Sequence, residues 1–200
     1  IAGGEGNSGA PEHVPYSGFR QNGGAKCMPK TVKITAAMLY DLVQCSHRWS
    51  MDLFIDPKYR DEVNPFVQLL WEKGTAYEDE VVSRLATDFI DLSEYAGDEK
   101  ERLTIEAMQI GESLIYGGRI SSGDLLGAPD LLRKIDDKYI AGDIKSGGGE
   151  EGNDDNSKLK KHYGVQVALY TDILMQLGFA NATTPFIWDV KGEEIIYDLD

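Results

Sequence analysis

The chain has 200 residues, 42 % hydrophobic and 27 % charged, with a formal net charge of −14. That length suits one domain with a core of its own, and the composition is ordinary for a soluble globular protein. The longest apolar runs are far short of a membrane span, Cys27 and Cys45 are too few for a disulfide framework, and the acidity counts against a phosphate-bearing partner. No signal-peptide pattern opens the sequence, so a reducing cytoplasm is the expected location.

Residues 1 to 30 are rich in Gly, Ser, Asn and Pro and carry no periodicity, which predicts a disordered leader before a domain over 31–200. The sequence begins at Ile1 rather than Met, as a fragment of a longer protein would. Thr35 is placed to cap a helix running to about Trp49, with Leu39, Leu42, Val43 and Trp49 on its apolar side. Asn64-Pro65 forms an N-cap and N1 pair for a second helix through about Phe89. Its apolar positions Phe66, Leu69, Leu70, Tyr77, Val81 and Leu85 follow the helical period. A third helix fits Asp98 to Met108, followed by strands near Ser113–Ile120, Leu125–Ile135 and Lys138–Lys145. Residues 146–157 read as a long flexible loop. A fourth helix runs from about Lys158 to Leu177, with Gly178 as its C′ glycine, and Pro185–Val190 and Glu194–Leu199 flank a hairpin turn. The order of elements predicts an α/β fold with a central mixed sheet flanked by helices.

The chemistry concentrates at Asp130 and at Asp143-Ile144-Lys145. Alternation along a strand puts Asp143 and Lys145 on one face. A two-residue loop at Asp136-Asp137 sets Ile135 opposite Lys138, and stepping back along both strands brings Asp130 opposite Asp143. A three-residue loop would shift that pairing by one. Opposed carboxylates about 5 Å apart repel unless a cation lies between them. Gly74 and Glu78 share a face of the second helix; Glu78 is either a third carboxylate for such a cation or part of a solvated acidic face with Asp79 and Glu80. On the fourth helix, Gln166 interrupts the apolar stripe Leu159, Tyr163, Tyr170, Leu174, Leu177. A buried amide there needs a partner, either at the acidic site or at a sheet-edge carbonyl. Lys158, Lys160, Lys161 and His162 crowd the start of that helix, where they either contact phosphate or are merely solvated.

Taken in order, Gly74-x-x-x-Glu78, Pro129-Asp130, Asp143-Ile144-Lys145 and Gln166-x-x-x-Tyr170 resemble the PD-(D/E)xK nuclease superfamily, most closely its RecB-type branch. The resemblance spans roughly residues 33 to 190 and includes Cys45-Ser46-His47-Arg48, Trp71 to Glu78 and Ile115-Tyr116-Gly117-Gly118. It implies a restriction-endonuclease-like core and a metal-dependent DNA nuclease, with exonuclease action the expectation. On the matching positions it implies Mg²⁺ or Mn²⁺ held by Glu78, Asp130, Asp143 and the Ile144 carbonyl, with Lys145 and Gln166 completing the catalytic set. Tyr170, Tyr163, His162, Lys158, Lys160 and Lys161 would contact single-stranded or end-bearing DNA, and a helicase module or subunit is an implied partner. Related CRISPR-associated and AddB-type nucleases carry an iron–sulfur cluster. No cysteine follows Cys45 here, so no cluster is expected and Cys45 reads as a small core residue or an evolutionary remnant. Two other readings stay open: a catalytically silent nucleic-acid-binding or helicase-docking module with the same fold, and a hydrolase of small phosphoesters.

Overall fold

The computed structural model describes residues 32–152, 157–180 and 182–200. The leader expected over residues 1 to 30 and the tip of the loop at 153–156 lie outside the described residues. A short strand β1 (Ile34–Thr35) leads into α1 (Ala36–Gln44), whose N-terminus is capped by the Thr35 hydroxyl accepting from the Met38 N–H at 3.3 Å. The single helix expected to reach Trp49 is instead broken at Cys45, and α2 (Ser46–Phe54) begins after it. Cys45 has an extended backbone, and its N–H closes on the Asp41 carbonyl at 2.8 Å. An Arg48–Asp41 ion pair at 3.3 Å spans the corner. At this corner Cys45 is exposed, which corrects its reading as a core residue. Leu42 and Val43, expected on the apolar side of the helix, are exposed as well.

After a 3₁₀ turn at Pro57–Tyr59 comes α3 (Pro65–Ser83), with Asn64 accepting from the Phe66 N–H at 2.8 Å and proline at N1. It ends at Ser83, two turns short of the expected Phe89, and its period divides into two regimes. Tyr77 and Val81 pack into the core, whereas Phe66, Leu69, Leu70 and Trp71 in the first turns remain exposed. Then follow β2 (Ile90–Asp91), α4 (Gly97–Ile110), β3 (Leu114–Tyr116), β4 (Ile120–Ser122), β5 (Leu125–Gly127), β6 (Leu131–Ile135) and β7 (Lys138–Ile144). The segment expected as a flexible loop carries a small ladder, β8 (Glu150–Glu151) against β9 (Lys158–Leu159). Consequently α5 (Lys161–Gln176) starts three residues later than expected. It closes at Gly178, which has φ +78 and donates to the Met175 carbonyl at 3.0 Å. The chain ends with β10 (Phe186–Trp188) and β11 (Glu194–Ile196), the expected hairpin.

The fold is α/β, with five α-helices among the described residues around a six-stranded mixed sheet ordered β11-β10-β7-β6-β3-β2. Pairs β7–β10 and β2–β3 are parallel, and each needs a crossover; α5 and α4 supply them. A second sheet, β1-β5-β4, packs against α5. The central strand β7 is buried on both faces. Tyr139 and Ala141 meet Val167, Ile173 and Leu174 on one side, and Ile140 and Ile144 meet Leu131, Phe186 and the Val81 side of α3 on the other.

Two glycines with opposite surroundings test this packing. Gly142 on β7 lies directly under the Phe186 ring, where an added Cβ would meet the ring carbon Cζ at 2.1 Å. Gly142→Ala is therefore expected to cost about 1–3 kcal/mol through overpacking. Gly74, in the interior of α3, would place its Cβ 3.7 Å from the Ser146 hydroxyl, an ordinary contact. Gly74→Ala should gain about 0.5–1 kcal/mol from helix propensity. Urea denaturation of the two variants distinguishes them by the sign of the midpoint shift; equal shifts would contradict the packing described.

Candidate active site

The β6–β7 hairpin turns on Asp136-Asp137, with Asp136 at φ +54. This left-handed conformation is one that aspartate tolerates better than most residues. The ladder pairs Ile135 with Lys138 and continues to Leu131 opposite Gly142. The ladder ends there, with Asp130 just before β6 and Asp143 near the end of β7, both at the mouth of the hairpin. The Ile144 N–H donates to Asp130 Oδ2 at 2.7 Å, so the carboxylate is tied across to the neighbouring strand. The Asp130 carbonyl accepts from the Gly117 N–H at 2.8 Å, which fixes its backbone from the β3 side.

Asp143 is 2 % exposed and belongs to the α5-facing side of β7 with Tyr139 and Ala141. Lys145, two residues on and on the same face, brings its Nζ to 2.5 Å from Asp143 Oδ2. Asp143 Oδ2 is buried, and the Lys145 ammonium is the polar partner it has among the described residues. The Lys145 side chain is 23 % exposed, so the ammonium sits at the boundary of the interior and the opening. Burial alone would lower its pKa; the charges of Asp143 and Asp130 outweigh that and raise it, so the residue stays a cation.

Glu78 reaches the same end of the sheet from α3. Its Oε1 accepts from the Tyr116 hydroxyl at 2.9 Å. Burial raises the Glu78 pKa, as does the Asp143 charge, while the Tyr116 bond and Lys145 act in the opposite direction. Asp130 is pushed well above the usual carboxylate range by burial, then by Asp143 and Glu78. The structure thus brings Glu78, Asp130, Asp143 and Lys145 within electrostatic reach of one another. Among the described residues no group of three His, Cys, Asp or Glu side chains closes into a ligand cage by itself. Glu78 approaches from the α3 side, and the two aspartates lie at the strand ends.

On α5, Gln166 Oε1 is buried with no hydrogen-bond partner. Tyr163 lies beneath Lys145, whose Nζ is 5.8 Å from the ring centroid, with Lys160 Nζ at 5.2 Å from the same ring. His162 meets the Tyr163 ring edge-on at 4.6 Å and Tyr40 of α1 at 4.9 Å. Burial lowers its pKa, as does the Lys160 charge, against the opposing charge of Glu151. Lys160, His162 and Tyr163 are therefore gathered beside Lys145. Lys158 lies in β9 and Lys161 opens α5, both exposed. Tyr170 is a correction. It is 4 % exposed, its ring packs over Gly127, and its hydroxyl feels the charges of Asp143 and Asp130 from the interior. A direct contact with a nucleic-acid backbone needs access that this ring lacks.

The sequence reading gave no role to Asp189, although it is 1 % exposed and organises the neighbouring loops. Its carboxylate accepts from the Lys191 N–H at 2.8 Å and from the Glu193 and Gly149 N–H groups, each at 3.2 Å. The Tyr77 hydroxyl donates to its carbonyl. An aspartate two residues ahead of Lys-Gly is a turn-forming signal that was present in the sequence. No protein-family model matches the chain, and no curated protein sequence matches it.

The raised carboxylates make the stability of the metal-free protein depend on pH. Between the ordinary carboxylate pKa and the raised folded value, the folded protein binds more protons than the unfolded chain. Stability therefore falls as pH rises through that window and stays lowered above it. Asp130→Asn keeps an oxygen acceptor for the Ile144 N–H and removes the charge. In EDTA this variant should melt above the wild type at pH 7, each kcal/mol being worth about 2–4 °C. The advantage should shrink toward pH 4. Thermal melts across that range check it; a variant that melts lower at pH 7 would show that the Asp130 charge is compensated in the fold.

Proposed function

We propose that this chain is a metal-dependent deoxyribonuclease of the PD-(D/E)xK type, hydrolysing phosphodiester bonds of single-stranded or end-bearing DNA. The observation that carries the proposal is the gathering of Asp130 and Asp143 at the mouth of one hairpin, with the Lys145 ammonium 2.5 Å from Asp143. Buried carboxylates that repel one another, with a lysine cation beside them, are a donor set suited to a hard divalent cation. Mg²⁺ is commonly held by only one or two carboxylates, with waters and substrate phosphate completing its shell, so two aspartates suffice without a closed cage. Asp130, Asp143 and the Ile144 carbonyl would hold Mg²⁺ or Mn²⁺, with Glu78 beside them. When bound, such an ion supplies a more acidic water and a counter-charge for the phosphate.

The remaining roles belong to the chain. Lys145, kept cationic by the aspartates, is placed to donate to a phosphate oxygen as negative charge develops on it. Gln166 presents an unpaired carbonyl oxygen on the α5 side, available to orient a water. Lys160 and His162 flank Tyr163 and offer donors to the backbone of the strand. These cations gather on one side of the site within an acidic protein, which favours approach of a polyanion from that side only. Two further expectations are a helicase module or subunit as partner and a cytoplasmic location, the latter resting on the few cysteines, of which Cys45 is free. No helix among the described residues is long and apolar enough to cross a membrane.

The absence of a three-residue ligand group among the described residues, together with the charge of −14, favours one competing reading, a catalytically silent binding module. Purified protein given Mg²⁺ or Mn²⁺ should degrade DNA, and Asp143→Ala and Lys145→Ala should each lower the rate at least about 10²-fold. Release of nucleotides from labelled single-stranded and end-bearing DNA measures this. Full activity in both variants would refute the assignment. Absence of both activity and Mn²⁺ binding by calorimetry in the wild type would favour the silent module.

A further inference from the structure

At the end of β3, Tyr116 and Gly117 together touch both sides of the acidic cluster. The Tyr116 hydroxyl donates to Glu78 Oε1 at 2.9 Å, and the next residue, Gly117, donates its N–H to the Asp130 carbonyl at 2.8 Å. We propose that Tyr116 is a positioning residue that sets Glu78 against the Asp130–Asp143 pair and thereby raises the affinity of the site for a divalent cation. The inference rests on the metal reading of the site and goes beyond it by adding a residue that ligates nothing itself.

Three features suit Tyr116 to this task. Its position is fixed, because its carbonyl accepts from the Leu92 N–H at 3.0 Å and its strand pairs Tyr116 with Leu131, the residue after Asp130. Its ring plane is fixed, because Phe89 meets it edge-on at 6.2 Å. Its hydroxyl engages only Oε1 of Glu78, which leaves Oε2 for another partner. A carboxylate on a helix loses rotamer freedom when it binds an ion, and a preformed bond to one oxygen supplies part of that ordering beforehand.

Gly117 explains why the arrangement holds its shape. It has φ +65, and a Cβ there would lie 3.1 Å from the backbone of Ser93, so any side chain would be strained. The turn it makes directs the N–H toward Asp130 while the preceding side chain faces Glu78. One dipeptide thus registers a helix residue and a strand residue relative to each other.

Tyr116→Phe removes the hydroxyl and keeps the ring. Mn²⁺ titration by calorimetry is expected to show at least about 10-fold weaker binding in this variant, the usual size of effect for groups that orient a ligand. Melting temperatures in EDTA should stay within a few degrees of the wild type, which separates positioning from a general loss of fold. In the Glu78→Gln background the same substitution should change Mn²⁺ affinity less than 2-fold, because its target charge is already gone. Unchanged or tighter Mn²⁺ binding by Tyr116→Phe overturns the proposal. So does an equal loss in the Glu78→Gln background, which would mark a structural effect. Wild-type protein that binds no Mn²⁺ would instead overturn the metal reading itself, and the proposal with it.

Discussion

The arrangement of this protein's site depends on one register, that of the two strands joined by Asp136-Asp137. With a two-residue turn, the ladder runs back to Leu131 opposite Gly142, and the Ile144 N–H ties the Asp130 carboxylate to the next strand. A one-residue slip would send Asp143 and Lys145 to the opposite face, where Ile140 and Ile144 now pack against Phe186. The apolar alternation of β7 therefore protects the chemistry, since the register that buries Tyr139 and Ala141 under α5 is the same one that gathers the charges. Stability and site geometry are enforced by the same pattern of side chains.

That constraint also explains why the charges sit where they do. The strands end as the sheet runs out, and the ends of β6 and β7 are reached by α3 from one side and by α5 from the other. Burying several ionisable groups at such a junction is costly, and the fold offsets the cost unevenly. Asp189 receives three backbone N–H groups, and its bonds hold the β10–β11 turn to the loop that follows Lys145. Asp130 receives one, and Asp143 has an oxygen with none. Asp189 is satisfied by the backbone, while the aspartates at the hairpin mouth depend on one N–H and on the Lys145 ammonium. Burial and mutual repulsion raise the Asp130 pKa, a cost that fewer backbone donors leave standing at the hairpin mouth.

How far the sequence conveyed this depended on the range of the interactions involved. The hairpin register, the Thr35 and Asn64 caps and the Gly178 terminus were legible because each is decided by a few adjacent residues. The helix break at Cys45 was not, since no proline or glycine marks it and the Arg48–Asp41 pair forms only once the corner exists. Periodicity correctly grouped Phe66, Leu69 and Leu70 on α3 with Tyr77 and Val81. It could not show that the first three find no covering element among the described residues whereas the last two meet the sheet. The β8–β9 ladder was hidden by composition, because glycine and acidic residues read as loop even where Gly149 is pinned between Asp189 and Tyr197.

The residues of the candidate site divide along the same line. Asp130, Asp143 and Lys145 lie within one hairpin, and strand alternation alone relates them. Glu78 is brought in by the tertiary packing of α3, so spacing could place it on the Gly74 face but not choose between solvent and the sheet. At the sheet Glu78 meets the Tyr116 hydroxyl, 38 positions away in sequence and beyond the reach of local spacing. For Tyr170, the same α5 period that correctly aligned it with Gln166 also carried it one turn deeper, beneath the second sheet, where Gly127 makes room for its ring. Side chains on one helical stripe share a direction but not a depth. Depth is set by what the helix lies on, and here the covering layer thickens along α5, leaving Lys160 and His162 toward the opening and Tyr170 in the core.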